Sequence, residues 1–393
     1  MLFESLNNLV LSAIVFLLGG ALCTAVGRSI GLKAIPAILL YVWHSAWAVW
    51  YSSYIQVNGG DAFNYFERAR FDFVEPTFGT EFVVWLTSFP ASIGLGFWPI
   101  SFIYNVAGAL GLVLFCAALQ EITSESGKSL LKRLLILLCL ALPSLSFWTS
   151  GIGKDSLAFL SVGLFLWSTI NFGRRQVGAI AAVICMLMIR PHIACLMVLS
   201  IAAGALFVSN VRASVRFGIG ALATAAALFA VPLALLYSGS AQFSSLREFI
   251  SDRQEQNMGG GSSIDITGMN PLLRLLSFLY RPLPNETAGF SQLAASLDNV
   301  ILIGLTVLGL LMIYRAGFIR VFRRYSIALF YGLSCLVLLS QVTANLGLAT
   351  RQKWMSVPAV LMIFVGAWSM MAGEKRARTH RVHDLPGAPQ AVS

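Results

Sequence analysis

Long apolar runs recur from one end of this chain to the other, and they decide what it can fold into. Several reach the roughly 17–25 residues with which a helix spans a bilayer. A chain that is 57% hydrophobic and 11% charged, with mean hydropathy +0.78, has no soluble way to bury that much apolar surface. The sequence therefore predicts an all-α polytopic transmembrane helix bundle. Eleven spans are expected, at about 6–26, 34–55, 97–119, 133–148, 155–171, 177–189, 193–208, 216–237, 297–314, 325–343 and 354–372. The leading MLFESLNN carries no positive charge cluster, so the first run reads as a retained span. The runs 177–189 and 193–208 are short, and Arg190-Pro191-His192 separates them. A charged residue before a proline fits badly at mid-bilayer, so these runs read as a hairpin with the tripeptide at its tip.

Positive charge then orients the bundle. One set of connections holds Arg28 and Lys33; Lys128, Lys132 and Arg133; Arg174 and Arg175; Arg212 and Arg216; Arg315, Arg320, Arg323 and Arg324; and Lys375, Arg376, Arg378 and Arg381. That is 17 of the 27 basic residues, facing only Glu121, Glu125, Glu374 and Asp384. By the positive-inside rule this side is cytoplasmic. The N-terminus is then outside and the C-terminus inside. The net charge of +10 is thereby accounted for by anchoring, and it implies no nucleic-acid partner.

Residues 1–373 are expected to form one membrane domain, with long outer loops at 56–96 and 238–296. Residues 374–393 read as a basic, disordered cytoplasmic tail. The loops hold three stretches of amphipathic or charged helix character: Phe78–Pro90, Phe243–Gln256 and Asn270–Pro282. The run Gly259-Gly260-Gly261 separates the last two. All six cysteines lie in apolar runs without ligand spacing to histidine, which implies neither a zinc site nor a disulfide framework.

The inner connections are short and carry only anchoring charge, so chemistry belongs to the outer face. Five outer stretches carry unusual residues. In the first, Asn58–Arg70, Gly59-Gly60 break the preceding helix and Asp61 opens the next. At helical spacing Asp61, Tyr65, Arg68 and Asp72 share one face, and Phe63, Phe66 and Phe73 supply apolar surface. Asp61 is either an N-cap or a catalytic carboxylate at the membrane surface. The others are Trp148–Asp155, where glycines allow a tight turn before Lys154-Asp155; Arg190-Pro191-His192; Tyr280–Glu286 with Arg281; and Asn345–Lys353 with Arg351. Basic residues in short outer loops run against the positive-inside bias. Lys154, Arg190, Arg351 and Lys353 therefore either snorkel or face an anion, and as a group they suit a lipid-linked phosphate. His192 is either a polar cap or an acid/base group. His44, in the aromatic run YVWHSAW, reads as a satisfied buried histidine.

These five motifs, in this order, resemble bacterial integral membrane proteins of surface-polysaccharide assembly: O-antigen-type polymerases and glycosyltransferases of the C-type membrane fold. The likeness lies in Gly60-Asp61 with Tyr65, the SGIGKDS turn Ser150–Ser156, the RPH hairpin, YRPLPNE and NLGLATR. It implies an inner-membrane enzyme with an outer-loop catalytic carboxylate, here Asp61, and a polyprenyl-phosphate sugar donor. On that pattern Tyr65, Arg68, Lys154, Asp155, Arg190, Arg281, Arg351 and Lys353 bind substrate or its phosphate, and His192 is a second catalytic candidate. Membrane lipids and other polysaccharide-assembly proteins are the partners it implies. The acid here follows the second apolar run, so an extra N-terminal span is assumed. The paired acids of several such families are missing, so no metal ligand is assigned and a divalent cation stays open. A transporter or flippase of lipid-linked oligosaccharide is the rival from another class, disfavoured because the two halves show no repeat. A ligase or acyltransferase with His192 as base is a third.

Overall fold

A computed structural model describes residues 5–72, 74–127, 129–207, 262–266, 268–287 and 290–383, with scattered positions between 217 and 255. The expected span 216–237, the stretch Phe243–Gln256, the glycine run 259–261 and the end of the tail fall wholly or mostly outside the described residues. The rest is helical: α1 (Leu6–Ser29), α2 (Ala34–Asn58), α3 (Asp61–Phe71), α4 (Thr80–Ser92), α5 (Phe97–Ile122), α6 (Leu130–Leu140), α7 (Pro143–Trp148), α8 (Lys154–Ile170), α9 (Gln176–Ile189), α10 (Pro191–Ala205), α11 (Pro271–Tyr280), α12 (Phe290–Ala316), α13 (Phe318–Val342), α14 (Leu346–Gln352) and α15 (Val357–His383). No strand is formed among the described residues beyond an isolated bridge between Ser263 and Asn345.

Among the described residues, six helical stretches are long and apolar enough to cross a membrane: Leu6–Ser29, Phe97–Ile122, Leu130–Trp148, Gln292–Ala316, Phe318–Val342 and Val357–Glu374. The expected count of eleven is thus not confirmed, and one expected span, 216–237, lies mostly outside the described residues. Four of the expected ones are helices that fall short for identifiable reasons. α2 has 25 residues, but Trp43, His44, Tyr51, Ser52 and Ser53 make it less apolar. α8, α9 and α10 have 17, 14 and 15 residues. The last helix, by contrast, runs past the expected boundary at 373 to His383, through a sequence of good helix formers.

α5 is the axis of the bundle, buried along most of its length and packed against α1, α2, α8 and α15. Its approach to α8 is backbone on backbone. A Cβ at Gly111 would stand 2.7 Å from the Phe159 carbonyl oxygen, and one at Gly163 would stand 2.3 Å from that of Gly111. Small residues at this crossing stand in for the missing hydrophobic drive between helices in lipid. α1 instead turns Leu9, Val10, Leu17, Leu18 and Leu22 outward, as a lipid-facing helix does.

Ion pairs among the described residues join members of one charge set or of the other, and none crosses between them. Arg175 meets Glu121 at 2.9 Å, and Arg320 meets Glu374, all four from the basic set. Arg68–Glu81, Arg190–Asp155, Arg281–Glu286 and Arg351–Asp61 all pair residues of the other set. The expected interfacial helices form as α4 and α11. α11 is capped by Asn270, whose Oδ1 accepts from the Leu273 amide at 2.9 Å, and it exposes Leu272 and Leu273.

Candidate functional site

Four of the five unusual stretches meet at one point. Gly59 and Gly60 end α2 as expected, with φ of 71° and 133° that a side chain would resist. Asp61 is not the cap of α3. Gly60 holds that position, no side chain caps the helix, and Asp61 is its first residue. The capping reading is therefore corrected: the carboxylate is turned to a partner far along the chain. Arg351 Nη1 donates to Asp61 Oδ2 at 2.8 Å. The same guanidinium donates through Nε to Asp155 Oδ2, and Arg190 Nη2 donates to Asp155 Oδ1 at 2.7 Å. Arg190, Asp155, Arg351 and Asp61 thus form one continuous line of charge.

Burial grades along that line. The side chains of Asp155 and Arg190 are 8% and 10% exposed, Arg351 is 15% exposed, and Asp61 is 54% exposed. The line runs from an enclosed root to an open carboxylate. Lys154 stands within electrostatic range of both arginines and both aspartates. The five groups sum to one positive charge, which favours an incoming anion. Tyr65, on α3 one turn past Asp61, is buried; burial first and Asp61 second push its hydroxyl pKa up, so it stays a proton donor at neutral pH.

The local folds that aim these groups are legible residue by residue. Phe66 seats α3 edge-on against Phe97, with ring centroids 5.6 Å apart. Arg68 locks α3 to α4 through two bonds to Glu81, at 2.9 and 2.7 Å. It therefore positions Asp61's helix and takes no part in the charge line. The turn before Lys154 is clamped by α2. His44 bonds Asn105 at 2.6 Å and Thr149 at 3.0 Å, fully buried and satisfied as expected. Tyr51 lies so close to Gly151 that a Cβ there would come within 2.1 Å of its ring. Arg190 ends α9 and begins α10 in a single residue, with φ −144° and ψ 80°, so the RPH hairpin is real. The Gly79 amide, ahead of α4, donates to the Met188 carbonyl at 2.8 Å and ties the hairpin tip to the first outer loop. α14 presents Arg351 and is capped by Asn345, whose Oδ1 accepts from the Leu348 amide at 3.1 Å. His192 follows Arg190 on the first turn of α10, half-buried.

Two expected cations lie elsewhere. Arg281 pairs with Glu286 at 2.6 Å and joins a neighbouring cavity wall. Lys353 is fully buried and donates to Asn299 Oδ1. Asn299 in turn donates to the Pro282 carbonyl at 2.9 Å, and the adjacent Asp298 accepts from the Ser144 amide at 2.6 Å. This knot pins α7, α12 and the start of α15 together, so Lys353 holds structure and is not turned toward Asp61. Sequence reading passed over Asp298 and Asn299, although polar residues at the head of an apolar run are the signal for such a knot.

Among the described residues no group of three His, Cys, Asp or Glu side chains stands close enough to hold a metal ion. No family model, curated protein or solved structure matches the chain.

Proposed function

We propose that the chain is an outer-face membrane glycosyltransferase or polysaccharide polymerase that draws its sugar from a polyprenyl-(pyro)phosphate donor. One observation carries this reading: Arg351 is shared between an exposed carboxylate, Asp61, and an enclosed one, Asp155. A phosphate entering beside Lys154, Arg190 and Arg351 competes with Asp61 for Arg351. As the guanidinium swings onto phosphate, Asp61 loses its ion pair and becomes free to act as a base. The acceptor hydroxyl then attacks the anomeric carbon while its proton passes to Asp61. The bond from that carbon to the phosphate oxygen breaks, and the polyprenyl (pyro)phosphate leaves with the electron pair. The cations neutralise the developing charge, so the leaving group needs no proton. His192, two residues from Arg190, is the second group in reach of this proton traffic by sequence. On this reading α2, α8, α9 and α10 also cross a bacterial inner membrane, with the N-terminus outside.

Transfer by the purified protein, followed with a lipid-linked saccharide donor, tests the reaction. Arg190→Ala and Arg351→Ala should each weaken donor use by one to two decades, from about 1.5–3 kcal/mol per charge-assisted contact. Arg351→Lys should restore only part, because lysine cannot bond two oxygens in a plane. Wild-type transfer by both alanine variants removes the phosphate site. Sidedness is tested separately: reporter fusions after Arg133, Arg175 and Arg324 should signal cytoplasm, and fusions near Gly60 and Gly347 the outside. The opposite pattern would place the charge line on the cytoplasmic face and sink the outer-face reaction.

A further inference from the structure

A cavity of about 420 Å³ opens beside the charge line, within the size range of small-molecule sites. Thr350, on its wall, is the chain neighbour of Arg351, and Trp148 lies on it just ahead of the turn that delivers Lys154. The lining is of two kinds. Trp50, Tyr54 and Trp148 supply broad aromatic faces, and Trp50 and Tyr54 are over a third exposed. Ser144, Arg281 and Glu286 supply hydrogen-bonding groups. Ser144 is itself held from behind, its amide donating to Asp298 at 2.6 Å, so that part of the wall is fixed. Arg281 and Glu286 hold each other in a fixed, bidentate pair, with Glu286 Oε2 also accepting from the Leu283 amide at 2.8 Å.

We propose that this cavity is the saccharide subsite, taking sugar rings of the glycan next to the phosphate held by Lys154, Arg190 and Arg351. The proposal rests on the transferase reading in taking the ligand to be a glycan. A pyranose ring has C–H faces that lie against an aromatic plane and hydroxyls around its rim. Rigid aromatic walls with a few fixed polar groups match both. A polyprenyl chain would leave the Arg281–Glu286 pair facing hydrocarbon, at a desolvation cost with nothing returned. The place of the cavity matters as much as its lining. Leu346, Gly347 and Thr350 on its wall belong to α14, the helix that carries Arg351, so the subsite and the phosphate site share one element.

The test is equilibrium binding, which needs no turnover. The probe is the water-soluble oligosaccharide released by mild acid from the surface polysaccharide of the cell that makes this protein. It is added to the full-length protein in detergent, and tryptophan fluorescence is followed. The oligosaccharide should quench that fluorescence saturably. Tyr54→Ala should weaken binding about tenfold, as the loss of one stacking face does. Ala294→Phe, which fills the cavity from a half-buried wall position without removing a polar group, should abolish it. Absent binding, or binding untouched by both cavity variants, overturns the proposal. So does saturable binding of sugar-free polyprenyl phosphate that Ala294→Phe blocks, which would make the cavity a lipid groove. A protein that binds the oligosaccharide through this cavity yet transfers no sugar supports the subsite and sinks the transferase reaction alone.

Discussion

Asp61→Asn should lower transfer by about 10²–10⁴-fold and leave the fold intact. The amide keeps the shape of the carboxylate and can still accept from Arg351, but it cannot take a proton from an attacking hydroxyl. Stability should hardly move. The Arg351–Asp61 pair has an aspartate more than half exposed, and exposed pairs contribute about 0–1 kcal/mol. No cap is lost either, because Gly60 and not Asp61 occupies that position. Asp61→Glu should also retain little activity, since it moves the carboxylate by a methylene away from hydrogen-bond reach. The check is product formation by purified protein in detergent beside its thermal melting curve. An Asn variant that melts normally and makes product at the wild-type rate would end the assignment of Asp61 as base.

Asp155→Ala is expected to do the reverse, and to damage the fold first. Asp155 is 8% exposed and holds Arg190 on one oxygen and Arg351 on the other. Its removal leaves the enclosed Arg190 guanidinium without its anion and Arg351 with Asp61 alone. Breaking a buried pair by deleting one partner costs about 3–5 kcal/mol. The melting temperature should fall by several degrees, and Asp155→Asn should recover only part of it, because the amide restores shape without charge. Added inorganic phosphate should raise the melting temperature of the Ala variant more than that of wild type, as an anion binds the stranded arginines. An Ala variant as stable as wild type would mean that the two arginines need no internal counter-ion.

Much of this was legible in the chain, and the reasons differ by element. Gly59-Gly60, the turn before Lys154 and the Arg-Pro joint at 190–191 are punctuation that backbone sterics enforce locally, so they stand where expected. His44 was readable because a histidine among tryptophans must find partners inside. The meeting of Asp61, Asp155, Arg190 and Arg351 rested on a weaker signal: cations on the side that the positive-inside rule disfavours. Which of them pair could not be read, because residues 290 positions apart in sequence are brought together only by packing. Arg68 and Asp61 lie seven residues apart on the same helix, and that spacing is silent about Glu81 on the next one. Lys353 shows the converse. Two residues past Arg351 the chain has turned enough to bury it, and short-loop charge alone does not distinguish the two. The number of crossings was hardest, since a short or polar-studded helix in a bundle and a true span have the same period.

The brevity of the RPH hairpin has a consequence for the membrane itself. The 14 residues of α9 rise about 21 Å, against about 30 Å of hydrocarbon in an ordinary bilayer. On the proposed topology, with Arg174-Arg175 at the inner boundary, Arg190 would end about 9 Å short of the far one, and any tilt would lower it further. α8, at 17 residues, comes up short as well and sets Asp155 at the hairpin's depth. On that topology the charges would sit at the bottom of a dent, with the surrounding leaflet thinned or water drawn down to meet them. An ordinary phospholipid, whose headgroup is pinned at the plane of its neighbours, is poorly placed to reach that depth. A phosphate borne on a long, pliant isoprenoid could sink to it, so on the proposed reading the shape of the bilayer around the protein would become part of how its ligand is chosen.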